Sequence, residues 1–166
     1  MKMVVVLAMH GAPPKDFPRE ELREFFELHA HHEVHDPMAA GRYSELADKV
    51  RRWPRTSEND PYYAASYELA QMVGRESGLE VLVGFNEFCA PDLDEVLARA
   101  VGDGAERIIA VTTMMTRGGE HAEREIAQAV SRARQNYPSV DIVYAWPFET
   151  VEVASFLAGH IKRFGA

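Results

Sequence analysis

The chain has 166 residues, 46% of them hydrophobic, which suits one domain with a sizeable core and leaves little room for a second. Its formal net charge of −8 argues against broad attraction to nucleic acid and mildly favours cations. Cys89 is the only cysteine, which excludes an intrachain disulfide or a cysteine-based zinc or iron–sulfur site within one subunit and suits a reducing compartment.

The first apolar run, Met3 to Met9, is rich in valine, as expected for a parallel strand covered on both faces. It is too short to span a membrane, and His10-Gly11 ends it without a signal-peptidase pattern, so a soluble, cytoplasmic protein is expected. From about Ala12 to Asn59 the chain makes an excursion far longer than a simple strand-to-helix connection, placed as a lid or substrate wall. Within it, Phe17 to Glu33 reads as a helix with Leu22, Phe25, Phe26 and His29 on one side. Tyr43 to Val50 reads as a shorter helix, and Arg51 to Asp60, with both signs of charge, as a solvated connection.

Asp60-Pro61 supplies an N-cap and a first-turn proline for a helix stopped by Gly78. A second strand follows over Leu79 to Phe85. Asp92 and Glu95 have capping-box spacing for a helix that Gly102 and Gly104 end. The third strand is Arg107 to Met115. After Gly118-Gly119, the residues Ala122, Ile126, Ala129, Val130 and Ala133 form a helical stripe. The fourth strand is Val140 to Trp146, and a last helix carries Val153, Phe156, Leu157, Ile161 and Phe164 up to Gly165. This alternation predicts an α/β domain over residues 1–166, with a central four-stranded parallel sheet between helices.

In such a sheet ligands bind beyond the carboxyl ends of the strands. His10 follows the first strand, Glu87 the second, and His121 lies after the third, in the first turn of its helix. Two imidazoles and a carboxylate suit a first-row divalent metal, and the positive end of a helix dipole keeps His121 neutral and able to bind one. The two histidines read equally as polar residues at loop edges, and composition and periodicity leave both readings open.

Other residues weigh less. The stretch HAHHEVHD gathers His29, His31, His32 and His35 with Glu33 and Asp36; a second metal site is conceivable, but an exposed polar helix end is the favoured reading. His160 lies on the apolar side of the last helix, as a buried or interface residue. Cys89 is near enough to Glu87 to add a soft ligand, though a small buried cysteine is commoner. Met9, Met114 and Met115 are placed along a hydrophobic wall, and Lys15, Arg42 and Arg117 are candidates for pairing with substrate carboxylates.

The stretches VVVLAMHGAP, GFNEFCAPDLDEVL and GAERIIAVTTMMTRGGEHAEREI resemble, in order and spacing, the three signatures of class II tetrapyrrole chelatases, particularly the sirohydrochlorin cobaltochelatases. The resemblance implies a chelatase-like three-layer domain, with His10 and His121 as metal ligands and Glu87 as the family's catalytic glutamate. It implies ATP-independent insertion of cobalt, nickel or iron into a tetrapyrrole such as sirohydrochlorin, as in cobalamin biosynthesis, with the metal as substrate and no obligatory cofactor. No Walker phosphate loop is present. Short members of the family pair as homodimers, and one domain here implies the same. Two departures point toward ferrochelatases: Gly11-Ala12-Pro13-Pro14 follows the first histidine, and ELREFFELHA and DPYYAASYELA look like a ferrochelatase amino-terminal half. Porphyrin metallation and a non-catalytic metal or tetrapyrrole carrier therefore stand as alternatives.

Overall fold

The structure, a computed structural model, describes residues 1–30 and 37–165. Four parallel strands, β1 (Met3–Met9), β2 (Glu80–Phe85), β3 (Arg107–Thr112) and β4 (Asp141–Tyr144), form one sheet in the order β2-β1-β3-β4. Among the described residues six α-helices accompany them: α1 (Arg19–Ala30), α2 (Pro37–Arg52), α3 (Pro61–Ser77), α4 (Leu93–Gly102), α5 (Ile126–Asn136) and α6 (Thr150–Ile161). The class is α/β, as the alternation predicts.

β1 is central and buried on both faces, which is why it tolerates no charge. Val4, Val6 and Ala8 pack with Leu93, Val96 and Leu97 of α4 and Ile126, Ala129 and Val130 of α5. Leu7 and Met9 face the opposite layer, where Ala70 of α3 meets Val83 and Phe85 of β2. Each large apolar side chain so buried stabilises the fold by roughly 1.5–3 kcal/mol as an upper estimate. β3 is less covered: Ile108, Ala110 and Thr112 are buried while alternate residues are half-buried. The register sets Met9 beside Phe85 and Ala8 beside Thr112, so three strands end together at one edge.

The expected caps form. Asp60 accepts from the Tyr63 N–H, Gly78 takes the left-handed conformation at the end of α3, and Asp92 and Glu95 close a reciprocal capping box. Several expected boundaries move. β3 and β4 stop short of Met115 and Trp146. α1 starts at Arg19 rather than Phe17, whose ring is instead buried ahead of the helix, and His31 to Asp36 lie outside the described residues. α2 runs through both ends of the Tyr43–Val50 helix read from sequence; Gly41, a weak helix former, conceals its first turns.

The excursion has a core of its own in Phe17, Phe25, Leu46 and Val50, with Tyr43, Trp53 and Phe88 packed against it. Arg51 to Asp60 is only in part the solvated connection that its mixed charges suggest: Arg52 and Thr56 to Glu58 are exposed, but other charges in it are not. Arg51 and Arg52 close α2, and the Arg55 and Asp60 side chains are 4% and 2% exposed in a mutual ion pair. α6 departs in the other direction, since none of its residues is buried; Phe156 is 64% exposed, and Phe164 just beyond it is 79% exposed. His160 is exposed too, so of the buried or interface position expected of it the first does not hold among the described residues, and its ring meets only that of Phe164, at 5.2 Å, among the ring contacts of the described residues. Among the described residues no helix is long and apolar enough to cross a membrane.

Candidate metal centre

The shared strand edge brings His10, Glu87 and His121 together although 111 residues separate the two histidines. Their ligand atoms all lie within 4.8 Å of one another: His10 Nε2 is 3.2 Å from His121 Nε2 and 3.8 Å from a Glu87 carboxylate oxygen. All three side chains are part-exposed, so ions can reach them. Among the described residues this is the one His, Cys, Asp and Glu cluster with metal-ligating geometry.

Hydrogen bonds fix the tautomers. His10 Nδ1 lies 2.8 Å from the Gly11 carbonyl, which can only accept, so Nδ1 carries the proton and Nε2 a lone pair. His121 Nδ1 lies 2.7 Å from a Glu125 carboxylate oxygen, with the same consequence. In these tautomers two imidazole lone pairs face each other beside a carboxylate, a donor set that suits a cation held between them. An ion at the usual metal–nitrogen distance of about 2.1 Å would see the two nitrogens at roughly 100°, close to a tetrahedral angle.

Gly11 and Phe88 shape the backbone here. The Asn86 N–H donates to the Met9 carbonyl at 2.8 Å and the Glu87 N–H to the His10 carbonyl at 2.9 Å, so the loops after β1 and β2 are zipped together. This close approach needs glycine: Gly11 has φ +98°, and a Cβ there would lie 1.9 Å from the Glu87 carbonyl oxygen. Gly11→Ala is expected to cost at least about 1–3 kcal/mol in backbone strain, plus the clash, and to displace His10 and Glu87. Urea unfolding paired with a Co²⁺ titration checks this; a variant matching wild type in both would mean that the loops part freely. Phe88 holds a left-handed φ of 57°, uncommon for an aromatic residue, next to Glu87.

Beside the triad opens a cleft of about 350 Å³, walled by Phe25, His29, Tyr43 and Arg51 of the excursion and by Glu87, Phe88 and Glu125. Phe25 stacks on Tyr43 at 5.5 Å, and the Tyr43 hydroxyl hydrogen-bonds His29 Nδ1 at 2.9 Å. Burial and the charge of Glu87 push the Tyr43 phenol above its ordinary range, so it stays protonated.

The other predicted residues are placed differently. Cys89 is 1% exposed with its thiol pushed up to about 11 by burial, which makes it a core residue rather than a soft ligand. Met9 is buried beneath the sheet face and Met114 packs against the main core, so only Met115 borders an open groove, alongside α6. Arg42 forks onto Glu24 at 2.8 and 2.9 Å and also holds Glu45, so it is committed within the excursion rather than free for a substrate carboxylate. Lys15 and Arg117 are exposed. Asn86 and Glu125, which touch His121, do not stand out in the sequence; the available signal is a carboxylate four residues after a histidine at a helix start.

Known proteins share this architecture. No curated protein matches the chain in sequence. SirB from Bacillus subtilis with Fe³⁺ is similar in fold, at 19% identity and a TM-score of 0.51 over 100% of this chain and 48% of SirB. The sirohydrochlorin chelatase SirB from Bacillus subtilis subspecies spizizenii, in complex with cobalt, aligns at 17% identity and a TM-score of 0.46, over 89% of this chain and 44% of that one. A CbiX protein from Marinobacter aquaeolei VT8 matches at 15% identity and a TM-score of 0.51 over 97% of this chain and 98% of its own. The chain thus spans about half the length of SirB and nearly all of the Marinobacter protein. The family model for CbiX matches residues 55–157, a stretch that includes Glu87 and His121. With well over half of its residues matched, the chain belongs to the CbiX family.

Proposed function

We propose that this protein is an ATP-independent class II chelatase that inserts a divalent cation, cobalt, nickel or iron, into sirohydrochlorin, releasing two pyrrole protons. The observation that carries this reading is the convergence of two imidazole lone pairs and one carboxylate on a single point at the strand edge. The choice of sirohydrochlorin as substrate rests on the sequence resemblance and on the description of SirB as a sirohydrochlorin chelatase.

In this mechanism the cation is a substrate, captured from water by His10 Nε2, His121 Nε2 and Glu87. The macrocycle lies over the triad with one edge in the aromatic cleft, so the excursion over 12–59 acts as its wall. The pyrrole nitrogens displace the imidazoles from the cation, and the freed Nε2 lone pairs and Glu87 take up the departing protons. No resident cofactor is invoked. A porphyrin is the second reading, favoured by Phe25, Tyr43 and Phe88 in the cleft wall and by the commitment of Arg51 to Asp92 and Glu95 and of Arg42 to Glu24 and Glu45. Incubating the purified protein with sirohydrochlorin or protoporphyrin, each against Co²⁺, Ni²⁺ and Fe²⁺, tests the proposal through the absorbance change of the macrocycle. Acceleration with none of the six pairs would leave a carrier.

A homodimer in the cytoplasm belongs to the same reading. Val151, Phe156, Leu157, Ile161 and Phe164 are large apolar residues left exposed on and just beyond α6, and a second copy would cover them. Sedimentation is expected to give about twice the 18.7 kDa chain mass. Phe156→Glu together with Phe164→Glu should shift the species to monomer; a wild-type monomer at micromolar concentration would refute the pairing.

A further inference from the structure

His10 and Glu87 are delivered as one unit, because the backbones after β1 and β2 are hydrogen-bonded to each other. His121 is not part of that unit. It follows the loop over residues 113–120, so side-chain contacts must bring its ring into register with the other two ligands. Those contacts come from Asn86 and Glu125. The Asn86 amide donates to Glu125 Oε2 and its nitrogen lies 3.1 Å from His121 Nδ1, while the same Glu125 oxygen accepts the His121 Nδ1–H at 2.7 Å.

The turn that carries both His121 and Glu125 is itself unusual. It is a π-helical turn over His121–Glu125, closed by a bond from the Ile126 N–H to the His121 carbonyl, one residue wider than an α-helical turn. Such turns gather at functional sites.

We propose that Glu125, clipped to Asn86, is a positioning residue that fixes the tautomer and ring orientation of His121 and so registers it with His10 and Glu87 for cation capture. This rests on the reading of His121 as a ligand. A ring without an acceptor at Nδ1 can move its proton to Nε2, where an N–H would point at the cation, or rotate away from His10. A carboxylate at Nδ1 prevents both and raises the donor strength of Nε2. Asn86, adjacent to Glu87, ties that carboxylate to the β1–β2 unit, so one residue couples all three ligands.

The test uses the full chain and Co²⁺ alone as probe, with affinity from calorimetry and coordination from the visible ligand-field spectrum. Glu125→Leu is expected to weaken Co²⁺ by about 10–100-fold and alter the spectrum, as outer-shell changes do. Glu125→Gln, whose amide oxygen can still accept from Nδ1, should lose less than the leucine variant, and Asn86→Leu should fall in the same direction. A merely structural role would lower thermal stability equally in the glutamine and leucine variants and leave Co²⁺ affinity of the folded protein unchanged. If His121→Ala loses Co²⁺ but Glu125→Leu binds within about threefold of wild type, this proposal falls and the ligand reading stands. If His121→Ala binds as wild type does, both fall. Should Glu125→Leu not fold, Glu125→Gln and Asn86→Leu decide: equal affinity to wild type in both overturns the proposal.

Discussion

Replacing both His10 and His121 by alanine is expected to lower insertion by at least about a thousandfold, beyond the 10–100-fold typical of outer-shell changes, because it removes two of the three donors. The variant should still fold. Both rings are part-exposed, neither belongs to a core cluster, and the side-chain bonds lost go to the Gly11 carbonyl and to Glu125. It should also still bind tetrapyrrole, since the cleft wall of Phe25, Tyr43 and Phe88 is untouched. Glu87→Gln separates the roles left to the carboxylate. Slower turnover with unchanged Co²⁺ affinity assigns it to proton transfer, and loss of both makes it a direct ligand. Steady-state insertion, with metal affinity measured separately, gives the answer. A folded double histidine variant that inserts metal at a near-normal rate would sink the mechanism.

Why can these three residues be found from sequence while their supports cannot? β1 and β2 announce themselves as unbroken apolar runs, and the parallel rule puts the residues just after each strand on one edge. His10, Glu87 and His121 are the ligand-capable residues at those run ends, so strand reading and site reading are one inference. Asn86 and Glu125 carry no such mark. In HAEREI, Glu125 looks like any charge on a solvated helix face, and only the return of the chain beside β2 puts Asn86 against it. The stripe of α6 illustrates the opposite failure. Its periodicity is legible, but periodicity reports an apolar face without saying whether the same chain covers it, and here no described residue of the chain buries it. Arg51 to Asp60 misleads for a third reason. Mixed charges are usually solvated, and composition cannot reveal that two of them neutralise each other inside the protein.

That buried pair carries the largest expected stability effect. The Arg55 guanidinium meets Asp60 Oδ2 at 2.5 Å and donates to the carbonyls of Ala12 at 2.6 Å, Val50 at 2.9 Å and Trp53 at 3.2 Å, and to that of Phe88. One side chain thus binds the start of the excursion, the end of α2 and the loop that bears Glu87. Asp60 in turn caps α3. Arg55→Ala leaves a buried carboxylate without its counter-ion and several carbonyls without a donor, and should cost about 3–5 kcal/mol. Asp60→Asn keeps the cap but strands the guanidinium, so a loss of similar size is expected, whereas an exposed pair such as Arg99 with Asp103 should contribute no more than about 1 kcal/mol. The effect reaches the site, because the Phe88 carbonyl that Arg55 holds belongs to the residue with the left-handed backbone next to Glu87. Once that anchor is gone the strained turn can relax and carry Glu87 away from His10. Urea unfolding of Arg55→Ala should therefore show a lowered midpoint, and Co²⁺ affinity measured where the variant is still folded should fall as well. A midpoint shift worth less than about 1 kcal/mol would place the pair among ordinary surface bridges and refute its role as the joint between excursion and sheet.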